Sequence, residues 1–265
     1  TIAENLKETN RFSLHDYSLN QFTALYFNSD HPVLKDTKVR RAISLGIDKN
    51  ALQAGGDTRV DMLDLQDHSD DARFAYDSDK ANKNLDELGL TRGADGFRKS
   101  LGGEAITFTL LVLDKLDKKI PDNLEAAFKQ MGIHLIVNRL DEVGFSDTLE
   151  KRSYGLLLIK QNLGYNRDFA PLFHSSQGAA EETAGQNFSN FKSFRTDGLT
   201  EAIRKERDPP SKAKLLNELS NVLADEAPVI FISTPVYMYV LAPDMAFQAK
   251  QLDFHSDRFT LLPYL

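Results

Sequence analysis

Cysteine is absent from the 265 residues, which excludes disulfides, thiolate chemistry and cysteine metal sites, and permits an oxidising compartment without requiring one. Long apolar runs are missing too. The longest, around Phe108 to Leu113 and Val229 to Ile232, are strand-sized, against the roughly 20 residues a helix needs to cross a bilayer. Nor is there an excess of basic charge. With 32 Lys and Arg against 39 Asp and Glu, the net charge of -7 makes nucleic acid and anionic membrane surfaces poor partners. The chain opens on Thr1 with neither a basic n-region nor an apolar h-region, so a secretory signal, if the gene encodes one, is expected outside these residues, and the chain reads as a fragment.

Local catalytic devices are equally scarce. The sequence holds no G-x-S-x-G elbow, no H-E-x-x-H, no Walker A loop and no G-x-G-x-x-G, and so no local means of straining a nucleophile, binding zinc or cradling phosphate. His174 stands beside Ser175, but adjacency does not make a dyad, because nucleophile and base must meet in space with a third group orienting the base. The histidines at 15, 31, 68, 134, 174 and 255 include no i, i+4 pair, so no imidazole metal site is expected. Aspartates at 57, 61, 64, 67, 70 and 71 recur every third or fourth residue. That spacing describes a solvated helix face rather than a calcium loop, which needs oxygens at alternating positions and a glycine at the turn.

What is present is a chain of 41% hydrophobic and 27% charged residues, enough to bury one large core or two smaller ones in a soluble globular protein. Its pattern is mixed α/β. Phe22 to Phe27 reads as a strand, Asp36 to Leu45 as a helix begun by an aspartate, and Asp48 to Leu52 as a short helix. Residues 55 to 76 are weakly patterned and read as a surface excursion on which Val60, Met62, Leu63 and Leu65 could dock. Ser78 to Leu88 is a helix stopped at Gly89, Ala105 to Leu113 a strand, and Pro121 opens a helix striped by Leu124, Ala127, Phe128 and Met131 that Gly132 ends. Ile133 to Val137 and Gly155 to Ile159 are strands on either side of a helix at Val143 to Arg152. Helices at Asp197 to Glu206 and Pro210 to Ala224 precede strands at Pro228 to Ile232, Val236 to Leu241 and Phe259 to Leu262.

Several of these stretches carry a family resemblance. They are Tyr26-Phe27-Asn28 followed by Asp36-Thr37-Lys38-Val39-Arg40-Arg41-Ala42-Ile43 and Gly46-Ile47-Asp48; then Tyr76-Asp77 with Asp79-Lys80-Ala81, Leu85, Leu88 and Gly89; then Gly93, Asp95, Gly96, Phe97 and Arg98 before Thr107-Phe108-Thr109-Leu110. With Asn187-Phe188-Ser189-Asn190-Phe191 and Ala227-Pro228-Val229-Ile230, their order and spacing resemble those of the bacterial extracellular solute-binding proteins of family 5, the peptide, dipeptide and nickel receptors of ABC importers. The resemblance implies the C-terminal lobe of a type II periplasmic-binding-protein-like fold, an α/β architecture with a mixed sheet flanked by helices. It implies a crossing segment at residues 1–21, a ligand-binding lobe at 22–234 and return strands at 235–265.

By the same resemblance the protein is a periplasmic or otherwise extracytoplasmic receptor, monomeric at full length. It would capture a peptide or peptide-like small molecule and deliver it to the ABC permease subunits, with no cofactor and no covalent chemistry. Oligopeptide binders of the family carry a tryptophan and, three residues on, an aspartate for the peptide amine, where this chain has Gln161 and Gly164. Asp168 is the candidate substitute, and Arg152, Gln161, Asn162, Tyr165, Asn166 and Asn187 are the candidate hydrogen-bonding groups. The missing aspartate keeps open a non-peptide ligand such as a metal chelate, a tetrapyrrole or a modified peptide antibiotic. A hydrolase using Asp168 or His174 is the reading from another class.

Overall fold

Alternating apolar residues along three strands sort side chains onto two faces of a sheet. A computed structural model describes residues 12–52, 57–58, 75–164, 167–179, 185–241 and 251–252. Its strands are β1 (Ser13–Leu19), β2 (Gln21–Phe27), β3 (Asp57–Thr58), β4 (Thr107–Leu113), β5 (His134–Leu140), β6 (Leu156–Asn162), β7 (Val229–Leu241) and β8 (Gln251–Leu252). They are ordered β5-β4-β6-β2-β7-β1-β8, with β3 on β7. Leu25 and Phe27 of β2, Phe108, Leu110 and Val112 of β4, and Leu156 and Leu158 of β6 enter one core. Phe22, Ala24, Tyr26, Leu111 and Leu157 enter the other. The mixed sheet therefore has helices on both sides.

The first face is covered by α1 (Thr37–Leu45), α2 (Lys49–Leu52), α3 (Ser78–Glu87) and α4 (Lys119–Gln130), through Val39, Ile43, Leu52, Leu85, Leu124 and Phe128. The second is covered by α5 (Glu142–Glu150), α6 (Ala170–Phe173), α7 (Phe194–Lys205) and α8 (Pro209–Glu226), through Phe145, Leu172, Leu199, Ile203, Leu219 and Leu223. Side-chain oxygens begin most of the longer helices, as the sequence leads one to expect at Asp36. Asp36 accepts from Lys38 N at 2.8 Å, Asp77 from Lys80 N at 2.8 Å and Asp208 from Ser211 N at 3.0 Å. Gly89 and Gly132 follow α3 and α4 at φ of 79° and 72°, where the left-handed backbone favours glycine.

Two of the buried arginines, Arg40 and Arg98, tie helices together through carbonyl oxygens. Arg40, in α1, donates to the carbonyls of Leu34, Lys35, Glu226 and Ala227, which joins the start of α1 to the end of α8. Arg98, wholly buried, donates to the carbonyls of Met131, Leu90 and Asn82 and to Asp86, closing the 89–105 turns onto α3 and α4.

Several elements differ from the sequence expectation. The apolar runs at Pro228 to Ile232 and Val236 to Leu241, expected as separate strands, form one 13-residue strand. Ser233 ends its pairing with β2 and Val236 begins its pairing with β1, so Pro235, which has no N–H to give a ladder, falls between the two partners. Asp57, expected on a solvated helix face, lies in a strand opposite Pro235. The short helix α6 has no counterpart in the sequence reading, β1 falls within the expected crossing segment at 1–21, and β6 continues three residues past Ile159. The docking residues Val60, Met62, Leu63 and Leu65, the remaining aspartates of the spaced series, most of the expected crossing segment before Phe12 and the last expected strand at 259–262 lie outside the described residues.

Candidate ligand-binding site

The parallel strands β4, β5 and β6 all end at one edge of the sheet, after Leu113, Leu140 and Asn162. Beyond the carboxyl ends of such strands is where open α/β sheets take ligands. β2 begins at this edge, with Gln21 opposite Asn162, and β7 leaves β2 here at Ser233.

Side chains at this edge form a short relay. The Lys160 ammonium donates to the Tyr237 hydroxyl at 3.2 Å and lies 5.9 Å from the centre of its ring, while Tyr237 donates to Gln21 Oε1 at 3.3 Å. The Asn162 side chain accepts from Gly164 N at 2.8 Å, and Asn20 donates to the Gly164 carbonyl at 3.1 Å. Gly164 takes φ of 65° with open space where a side chain would project. Gln161 points to the opposite face, where it accepts from the Tyr26 hydroxyl. Burial holds that phenol strongly toward its neutral form.

Asp168 is already engaged. Both of its oxygens accept from Arg204, at 2.6 to 3.0 Å, and Oδ1 also accepts from Ala170 N at 3.0 Å. The pairing raises the Arg204 pKa above its ordinary value. Together they line a groove of about 700 Å³ with Arg167, Glu206, Arg207 and Lys212, at the turn between α7 and α8. An ammonium would have to displace Arg204 to reach this carboxylate.

Arg152 and Asn187 stand at the other end of the strands, a strand length of about 20 Å away. The Arg152 guanidinium donates to the Leu149 carbonyl at 2.7 Å and the Gly185 carbonyl at 2.6 Å and lies 5.1 Å over the Phe188 ring. Asn187, fully buried, donates to the carbonyls of His174 and Phe191 and accepts from Ser189 and Phe191 N. Both shape the 185–191 loop, which Tyr154 pins by donating to the Phe188 carbonyl at 2.9 Å. The seven sequence candidates are thus not gathered at one place: Gln161, Asn162 and Asp168 lie toward the strand ends, Arg152 and Asn187 opposite, and Tyr165 and Asn166 outside the described residues. Sequence reasoning missed Lys160, Gln21 and Tyr237, whose meeting depends on pairing across a separation of 216 residues.

The His174 neighbourhood differs from its adjacency in sequence. Ser175 donates to Asp197 at 2.5 Å, while His174 Nδ1 lies 2.9 Å from Ser176 Oγ and its Nε2 lies 3.5 Å from Glu201. An acyl-transfer site also needs free N–H donors for an oxyanion. Here Ser176 N donates to His174 Nδ1, Gln177 N to the His174 carbonyl and Gly178 N to the Ser175 carbonyl. The cluster fastens a turn to α7. Among the described residues no three His, Asp or Glu side chains could share a metal ion, and no helix is long and apolar enough to cross a membrane.

The architecture is that of periplasmic solute-binding proteins. NikZ from Campylobacter jejuni, solved in complex with Ni(L-His), superposes over 95% of this chain and 52% of its own with a TM-score of 0.72 at 19% identity. AppA from Bacillus subtilis, an oligopeptide-binding protein in complex with a nonapeptide, matches over 97% of this chain and 52% of its own, with a TM-score of 0.73 at 17% identity. A periplasmic oligopeptide-binding protein from Thermotoga maritima, with mannohexaose bound, matches over 86% and 47%, with a TM-score of 0.71 at 19% identity. The chain thus spans about half the length of these proteins. A search among curated proteins finds no match in sequence. Residues 1–181 match the family model described as bacterial extracellular solute-binding proteins, family 5 Middle, and the chain belongs to that family.

Proposed function

We propose that the chain forms one ligand-facing lobe of an extracytoplasmic receptor that captures a peptide or peptide-like solute and delivers it to the permease of an ABC importer. The observation that carries this reading is the strand-end edge crossed by β7. A strand that leaves one set of partners for another at Thr234–Pro235 is where a second lobe can be joined and a hinge can turn. In this reading residues 1–21 cross from the other lobe, 22–234 make the ligand wall, and 235–265 return toward the other lobe. Ligand stabilises the closed form through contacts absent from the open one, and the permease reads the closed surface. The full-length receptor acts as a monomer without cofactor or covalent step.

A non-peptide solute is the second reading, and two observations favour it. Gly164 offers no carboxylate to an amine, and Asp168 is committed to Arg204. Solved relatives hold Ni(L-His) and mannohexaose as well as a nonapeptide. The test is to purify the protein as its gene encodes it, denature it and identify by mass spectrometry what it releases. A ladder of short peptides supports the first reading and a single chelate, tetrapyrrole or modified peptide the second. Steady turnover of peptide or ester substrates, lost on His174→Ala, would replace both with a hydrolase.

A further inference from the structure

We infer that the solute presents an anionic group, a carboxylate or a phosphate, to Lys160, which Tyr237 and Gln21 hold in place; this rests on reading the strand-end edge as a ligand wall. Lys160 is the third-last residue of β6, opposite Thr23, and its side chain is exposed at that edge. The ammonium has three N–H donors, and one is spent on Tyr237. Tyr237 in turn directs its own proton to Gln21, so its oxygen faces the lysine as an acceptor. The relay thus fixes a cation at the edge without neutralising it. The described partners of the Lys160 ammonium are the Tyr237 hydroxyl and ring.

An exposed lysine in water needs no counter-ion. A lysine walled into a closing cleft does, because a charge left unpaired there forfeits its hydration. A solute acid group supplies that partner and is held by charge-assisted hydrogen bonds. A free amine has no corresponding welcome, since Gly164 has no side chain and both oxygens of Asp168 are taken.

The test uses the protein as its gene encodes it, stripped of bound solute, with four probes in two matched pairs. N-acetyl-trialanine keeps the acid and blocks the amine, whereas trialanine amide does the reverse; glucose 6-phosphate and glucose separate phosphate from the same neutral scaffold. Affinities are read by calorimetry for wild type, K160M, K160R and Y237F. The expected result is that the acid-bearing member of one pair binds and its partner does not, that K160M weakens it at least tenfold, and that K160R holds it within threefold. The pair that responds tells carboxylate from phosphate. Trialanine amide or glucose binding more tightly than its acid partner overturns the inference while leaving the receptor reading standing, and so does acid binding indifferent to K160M. Binding of none of the four, with no small molecule released from the native protein on denaturation, overturns the receptor reading and the inference with it.

Discussion

Replacing Arg40 with methionine tests whether the basic helix signature is structural. Arg40 is 2% exposed, and its guanidinium serves four carbonyls and the Thr37 hydroxyl. The contacts to Leu34 at 2.8 Å and Ala227 at 3.1 Å are fully buried, and the others are reachable by water. Each buried carbonyl left without a donor costs roughly 1–3 kcal/mol, so these two set a loss of about 2–6. Methionine recovers part of the aliphatic packing of the arginine stem, which brings the expected destabilisation to about 3–4 kcal/mol. For a protein of this size that is on the order of 10 °C in Tm, or a urea midpoint lower by about 1 M or more at unchanged m. Far-UV circular dichroism in urea measures it directly. The neighbouring Arg41→Met, at a half-exposed site, is the control and should cost less than about 1 kcal/mol. A loss under 1 kcal/mol for Arg40→Met, or equal losses at both positions, would refute the claim that the carbonyl contacts hold α1 to α8.

Arg98→Met should also cost about 3–5 kcal/mol, because it orphans the Leu90 and Met131 carbonyls; Asp86→Asn, whose side chain is 54% exposed, should cost under about 1, and chemical denaturation of the pair checks the asymmetry. Gly132→Ala should destabilise more than Gly103→Ala in a thermal melt, although both sit at positive φ. A methyl at 132 would meet Arg92 Nη1 at 2.5 Å and the Gly96 carbonyl at 2.8 Å, whereas at 103 it meets nothing within 4 Å. Asp208 has its pKa lowered by hydrogen bonds from the Ser211 hydroxyl and N–H, so its folded value lies below its unfolded one. Its contribution is therefore present above the unfolded carboxylate pKa and disappears as pH falls through the folded value, and Asp208→Ala should lower Tm at pH 7 with the difference shrinking toward pH 3.

The sequence alone determined the local parts of this protein. Helix starts at Asp36 and Asp77 and stops at Gly89 and Gly132 were legible because a cap is settled by a few neighbouring atoms. The apolar runs of β2, β4 and β6 showed their strands because their side chains pack on both faces of the sheet, and the ordered motifs from Tyr26 to Ile230 carried the family resemblance. Tertiary structure decided what distant residues do to each other. It alone joined two apolar runs into β7, with Pro235 placed between the β2 and β1 ladders and opposite the two-residue β3. It placed Asn187 in a buried hydrogen-bonded loop and Asp168 under Arg204, states that depend on residues up to 36 positions away. It also brought Lys160, Tyr237 and Gln21 to one edge. No sequence period encodes that meeting, because strand order is chosen by which faces can be buried together, and only then does the edge acquire its charge.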